Sequence, residues 1–146
     1  MPRYQGYCAN LCRTFVVGTP TDKQEELFNV YKNAQAAGIK TTRSGMRMRD
    51  IDNAAKAVFD AASYGNLYVF GISHSIGLGF EESPAPTIHL TDATMQILEG
   101  MTLTVGHSVL SVPGVGGVRI EDTFYIKSDG PEALTTFPAE LTLPVI

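Results

Sequence analysis

The order of local signals along the chain constrains its fold most. Two helical stretches come first, and a group of short strands punctuated by glycine turns follows. Thr21 and Gln24 have the spacing of a capping box directly after Pro20, so a helix opens there. Leu27, Val30, Tyr31 and Ala34 then recur at helical spacing, and Gly38 is expected just past the end. A second helix is predicted from Met48 to Ala62, with Met48, Ile51, Ala55, Val58 and Phe59 on one face and Gly65 as its stop. Upstream, Tyr7 to Val17 is rich in aromatic and β-branched residues and reads as a strand that stops at Gly18-Thr19-Pro20. Downstream, strands are predicted at Leu67–Phe70, Met101–Val105, Val109–Val112 and Val118–Ile126, with an extended tail over Leu134–Ile146. Helices that do not alternate with strands argue against a parallel doubly wound sheet. The expected architecture is α+β, a single domain over residues 1–146, with both helices side by side on one face of an antiparallel sheet. A chain near this length buries roughly 70% of its unfolded surface, which is enough for a core.

Charge and composition remove several classes of function. There are 11 Lys and Arg against 15 Asp and Glu, a net charge of -4, and the basic residues form no stripe. Nucleic acid is therefore not an expected partner. No apolar run approaches the ~20 residues that span a bilayer. Met1-Pro2-Arg3-Tyr4-Gln5-Gly6 lacks the apolar stretch of a signal peptide, so the expectation is a cytoplasmic protein without membrane contact. Cys8 and Cys12, four apart in the predicted strand, would share a face at a separation of ~13 Å, too far for a disulfide.

The motifs of the second half are more specific. The run Val112-Pro113-Gly114-Val115-Gly116-Gly117-Val118-Arg119-Ile120-Glu121-Asp122 resembles the C-terminal signature of aminopeptidase P and prolidase. Tyr7 with Arg13-Thr14-Phe15 is similar to the family motif G-Y-x-S-D-x-T-R-T-F. Ser73-His74-Ser75-Ile76-Gly77-Leu78 resembles G-H-G-I-G-L, and Asp129-Gly130 with Leu134-Thr135 matches the closing turn and strand. The resemblance is to the methionine aminopeptidase, prolidase, aminopeptidase P and creatinase family. It implies the pita-bread fold, a curved antiparallel sheet with helices on its convex side and the active site in its concave face. Such a domain is usually longer than this chain, so an N-terminally truncated form is expected. Its open edge would be covered in a homo-oligomer or by a preceding segment.

The resemblance also implies a ligand set. Members of this family hold two divalent metals with two Asp, one His and two Glu, since carboxylate oxygens plus one imidazole suit Mn, Co, Zn or Fe. Carried over by motif, the first Asp has no counterpart, and the second falls on Asn10. The His falls on His74, the first Glu on Gly106-His107, and the last Glu on Glu121. Phe70 stands where the family often has a His, and Glu81 stands where it has a second catalytic His. The expected metal-facing residues are His74, Glu121, Asn10 and His107, with His74 and Glu81 as the catalytic pair. The set is expected to hold at most one divalent ion or none. Each residue also has an ordinary alternative: a hydrogen-bonded core position for His74, a salt bridge for Glu121, a loop position for His107 and a solvated pair for Glu81 and Glu82.

The expected function is an Xaa-Pro peptidase-like hydrolase of creatinase or prolidase type with a degenerate metal site, weak or inactive as this chain alone, facing a small peptide or amide. Two other readings stay open. One is a metal-free creatinase-like C–N hydrolase in which an imidazole is both acid and base. The other is a non-catalytic module that binds a peptide or protein in the same cleft.

Overall fold

The structure is a computed structural model that describes residues 2–142. A short hairpin, β1 (Arg3–Tyr4) and β2 (Tyr7–Cys8), precedes two helices, α1 (Asp22–Thr41) and α2 (Met48–Ala61). The strands β3 (Ser73–Ser75), β4 (Thr102–Val105), β5 (Leu110–Val112), β6 (Gly116–Val118), β7 (Asp122–Lys127) and β8 (Gly130–Ala133) follow. Four of them form an antiparallel sheet in the order β3-β4-β7-β8, and β5 pairs with β6 as a separate hairpin.

The expected capping box opens α1. Gln24 N donates to Thr21 Oγ1 at 3.3 Å, and Thr21 N donates back to Gln24 Oε1 at 2.9 Å. The helix then runs through Gly38 to Thr41, so Gly38 is not its stop. A Cβ at Gly38 would lie 3.2 Å from Val105 Cγ1 and 3.3 Å from Ile51 Cγ2. The residue is small because α1 meets α2 and the sheet there. Leu27, Tyr31 and Ala34 of α1 pack with Met48, Ile51, Ala55 and Phe59 of α2, and both rows cover Leu103, Val105, Phe124 and Ile126 of β4 and β7. One face of the sheet is thus filled by helices, and the other is free for a site.

The predicted strand over Tyr7–Val17 is mostly irregular. Only Tyr7–Cys8 is strand, and Cys12 makes one antiparallel bridge to Glu121. Side chains take over beyond it: Thr14 Oγ1 donates to Arg119 O and accepts from Arg119 N, both at 3.0 Å. Leu67–Phe70 is not a strand either, since Gly65–Leu67 forms a 3-10 turn and the strand is Ser73–Ser75. Gly65 therefore opens that turn instead of ending α2, which stops at Ala61. The run Val118–Ile126 splits at Arg119–Glu121 into β6 and β7. Residues 134–142 carry no strand, and the last four residues of the predicted tail lie outside the described residues. Cys8 and Cys12 are free thiols.

One ion pair ties these parts together. Arg13 Nη2 donates to Asp122 Oδ1 at 2.6 Å, with side-chain exposures of 7% and 14%. The same guanidinium donates to the carbonyls of Cys12, Glu121, Phe137 and Pro138. Asp122 also accepts from Gln35 of α1 at 3.0 Å and from Thr135 at 2.7 Å. Removing one partner of a buried pair leaves the other charge uncompensated, which costs on the order of 3–5 kcal/mol. Arg13→Ala is expected to lower the free energy of denaturant unfolding by that amount. Lys56→Ala, which breaks the exposed Lys56–Asp60 pair on α2, is expected to leave it nearly unchanged.

Candidate functional site

Strand register places the site residues. His74 pairs with Thr104, and Thr104 pairs with Thr123, so the three side chains share one face of the sheet. Leu103, Val105, Phe124 and Ile126 alternate with them and point to the helices. His74 and Thr123 therefore face away from the helices. Glu121, two residues before Thr123 and bridged to Cys12, comes to the same face. Asn10 is close by, since its carbonyl accepts from Thr123 Oγ1 at 2.8 Å.

Four side chains converge. Glu121 Oε1 lies 3.4 Å from His74 Nε2 and 3.3 Å from His107 Nδ1. His107 Nε2 lies 3.6 Å from Glu81 Oε1. The two imidazole rings meet edge to face with centroids 4.7 Å apart. His74 and Glu121 are fully buried, while His107 and Glu81 keep a little exposure. These contacts are close, yet His74 Nε2, His107 Nδ1 and Glu121 Oε1 form no aligned hydrogen bond. His74 Nδ1 sits 2.9 Å from Ser75 O, which only accepts, so Nδ1 carries the proton and Nε2 faces the site. Burial alone would raise the Glu121 carboxyl, but the contacts with His107 and His74 outweigh it and hold it well below the usual carboxylate range.

The backbone at Gly106 explains how His107 arrives. Gly106 has φ +115, and a Cβ there would lie 1.8 Å from Ile120 O and 2.9 Å from Glu121 Cα. Only glycine fits that close approach. The turn throws the next side chain, His107, onto Glu121. Two anchors hold it: Gly106 N and His107 N both donate to Ile72 O at 2.8 and 2.9 Å, and the Tyr31 hydroxyl reaches Gly106 O and Ser108 O. Burial pushes the Tyr31 hydroxyl far above its ordinary range, so it stays a donor. Sequence reasoning read Tyr31 only as a core residue of a helix face; its spacing says nothing of the carbonyls it reaches.

Glu81 is half-buried against His107 and is not a solvated partner of Glu82, whose carboxylate accepts instead from Gly79 N at 2.8 Å. Asn10 lines the adjoining cleft with Phe80 and Thr123. Among the described residues the three metal-type groups that converge are His74, Glu81 and His107, with donor atoms within 4.8 Å of one another. Glu121 touches both histidines but is not part of that group. Both facts hold together, since Glu121 and Glu81 meet His107 through opposite ring nitrogens. The cleft has a volume of about 610 Å³ and mostly apolar walls from Tyr7, Leu11, Ile76, Phe80 and Leu134. Phe80 joins it to the four side chains, its ring centroid 5.7 Å from that of His74. A second depression of about 630 Å³, between the end of α1 and β8, touches none of these residues.

Known proteins resemble this chain in sequence and in fold. A sequence profile for metallopeptidase family M24 matches residues 1–128. The chain is 33% identical over 138 residues to an Xaa-Pro dipeptidase of Pyrococcus furiosus, covering 94% of this chain and 38% of that protein. Its fold superposes on an Xaa-Pro dipeptidase of Bacillus anthracis with a TM-score of 0.85 and 35% identity, covering 95% of this chain and 38% of the other. The prolidase of Pyrococcus horikoshii OT3 gives a TM-score of 0.85 at 31% identity, over 94% of this chain and 39% of that one. The fold is thus the pita-bread fold of these enzymes. The chain spans a little over a third of the length of these relatives. No helix among the described residues is long and apolar enough to cross a membrane.

Two measurements check the site. A carboxylate held below its unfolded value of 4.5 stabilises the fold above that value, and this contribution is lost as pH falls below it. Glu121→Gln is expected to cost on the order of 3 kcal/mol near neutral pH. The gap to wild type in urea unfolding should narrow steadily as the pH is taken below about 4.5. Gly106→Ala should destabilise the fold by more than about 3 kcal/mol, because it adds backbone strain to a main-chain clash.

Proposed function

The chain belongs to metallopeptidase family M24, and we propose that it is a peptidase-type hydrolase domain that has given up the two-metal centre and kept the cleft. The observation that carries this reading is Gly106. The resemblance puts a metal-bridging Glu at Gly106-His107, where position 107 is an imidazole, and at Gly106 φ +115 and the 1.8 Å approach to Ile120 O leave no room for any side chain. Asn10 adds an amide where the family has an Asp, so a second negative charge is missing on the same face. The family's two-metal set therefore does not fit these residues. Two dications ~3.5–4 Å apart need bridging carboxylates against their mutual repulsion.

What remains favours binding over rapid chemistry. The cleft of about 610 Å³ is apolar with a few polar groups, Asn10, Thr123 and Thr135, which suits a short peptide or a small amide. Behind Phe80, which lines the cleft, His74 and Glu121 are buried against each other. They offer an imidazole and a carboxylate for moving a proton, with Glu81 reaching them through His107. Without paired metals, the charge that builds on a tetrahedral intermediate loses several kcal/mol of stabilisation. The reading is a weak or inactive hydrolase.

The test is an assay of Xaa-Pro dipeptides with the purified chain, with Mn or Co added. No cleavage above background is expected, and Asn10→Asp should not restore it, since Gly106-His107 still lacks a carboxylate. Cleavage that survives repurification and disappears in His74→Ala would overturn the reading.

A further inference from the structure

His74 presents Nε2 to the site because its Nδ1 proton is taken by Ser75 O. In the neutral ring that nitrogen is a lone pair facing the Glu121 carboxylate oxygen at 3.4 Å, and only a second ring proton, or a cation in its place, makes the contact favourable. His107 meets carboxylates with both nitrogens, Glu121 at 3.3 Å and Glu81 at 3.6 Å. A neutral imidazole carries only one ring proton, so one of those contacts is again acceptor against acceptor. Glu121 Oε1 and the two ring nitrogens facing it, His74 Nε2 and His107 Nδ1, are buried and none has a hydrogen-bond partner. Buried polar atoms left this way are costly. A cation bound to one nitrogen of His107 and to His74 Nε2 removes the clash there and leaves the other nitrogen of His107 to carry the proton.

We propose that His74, His107 and Glu81 form a mononuclear divalent-cation site, with Glu121 as the second carboxylate beside the ion. The donor atoms of the first three already lie within 4.8 Å of one another. Ligands of a tetrahedral ion with bonds of 2.0–2.1 Å stand ~3.3 Å apart, so rotation of the partly exposed His107 and Glu81 side chains closes the set. Glu121 Oε1 stands at that spacing from both imidazoles. Charge sets the number of ions. Glu81 and Glu121 carry two negative charges, and coordinating imidazoles are neutral, so one dication leaves the pocket balanced. A second would leave two positive charges in a buried site. Two imidazoles with carboxylate suit Zn, Co or Fe better than Mg or Ca.

This site shares His74 and Glu121 with the set the resemblance implies, but Glu81 stands where it places a catalytic His, and His107 belongs to the Gly106-His107 pair where it places a Glu. The inference rests on the reading that the two-metal centre is gone, but its readout does not depend on catalysis.

Cobalt(II) is the probe. The 146-residue chain, treated with chelator and dialysed, is titrated with Co²⁺ while visible absorption and bound metal are followed. One Co²⁺ per chain is expected, with the strong visible bands of a low-coordinate ion, displaced by Zn²⁺. His107→Ala and Glu81→Gln should each weaken binding at least about tenfold, the loss seen even for an outer-shell partner of a metal ligand. The exposed His89→Ala should leave it unchanged. Circular dichroism and thermal unfolding confirm that each variant is folded, and His107→Gln replaces His107→Ala if the latter is not. No bound cobalt would overturn the inference and leave the proposed function standing. One cobalt bound equally well by both variants would also overturn it. Two cobalt ions per chain would overturn both readings, whereas Xaa-Pro cleavage with one cobalt bound would overturn only the proposed function.

Discussion

The Arg13–Asp122 ion pair joins segments that are distant in sequence. It is nearly buried, and both partners spend their remaining valences on backbone or neighbouring side chains. Through it the irregular segment after β2, the start of β7, the segment around Phe137 and helix α1 meet at one point. Glu121 is the residue before Asp122, and its carbonyl accepts from Arg13 at 2.9 Å. Its N and O also exchange hydrogen bonds with Cys12 at 3.0 Å. The direction of the Glu121 side chain is therefore set by a pair on the other face of the same strand. A buried ion pair of this kind adds little net stability over an apolar substitute, and its main effect here is to fix register.

The second constraint is the crossing of the chain at Gly106. There the backbone after β4 passes so close to Ile120 that no Cβ is tolerated. Ile72 O and the Tyr31 hydroxyl clamp the crossing from two sides. One close contact between main chains thereby brings the His107 imidazole onto Glu121, so that two imidazoles and two carboxylates meet.

Much of the fold was legible in the sequence because its signals are local. The Thr21–Gln24 capping box, the apolar face of α2 and the β4 run each depend on residues within a turn or a strand of one another. The segment after Tyr7 misled because its β-branched and aromatic residues looked like a strand. In the fold, Arg13 and Thr14 replace ladder hydrogen bonds with side-chain ones. Gly38 misled because a glycine at a close helix crossing looks like a glycine at a helix end. His74 and Glu121 were legible through their flanking motifs. The contact of Glu81 with His107 was not, because 26 residues separate them and the positive φ of Gly106 brings them together.

The arrangement proposed for His74, His107, Glu81 and Glu121 is two imidazoles around one ion, with no metal pair. X-ray absorption on the Zn-loaded chain measures both quantities at once. Two imidazoles plus oxygen are expected around the zinc, with no metal–metal scattering near ~3.5 Å. A metal–metal vector at that distance, with a single imidazole per pair of ions, would contradict it.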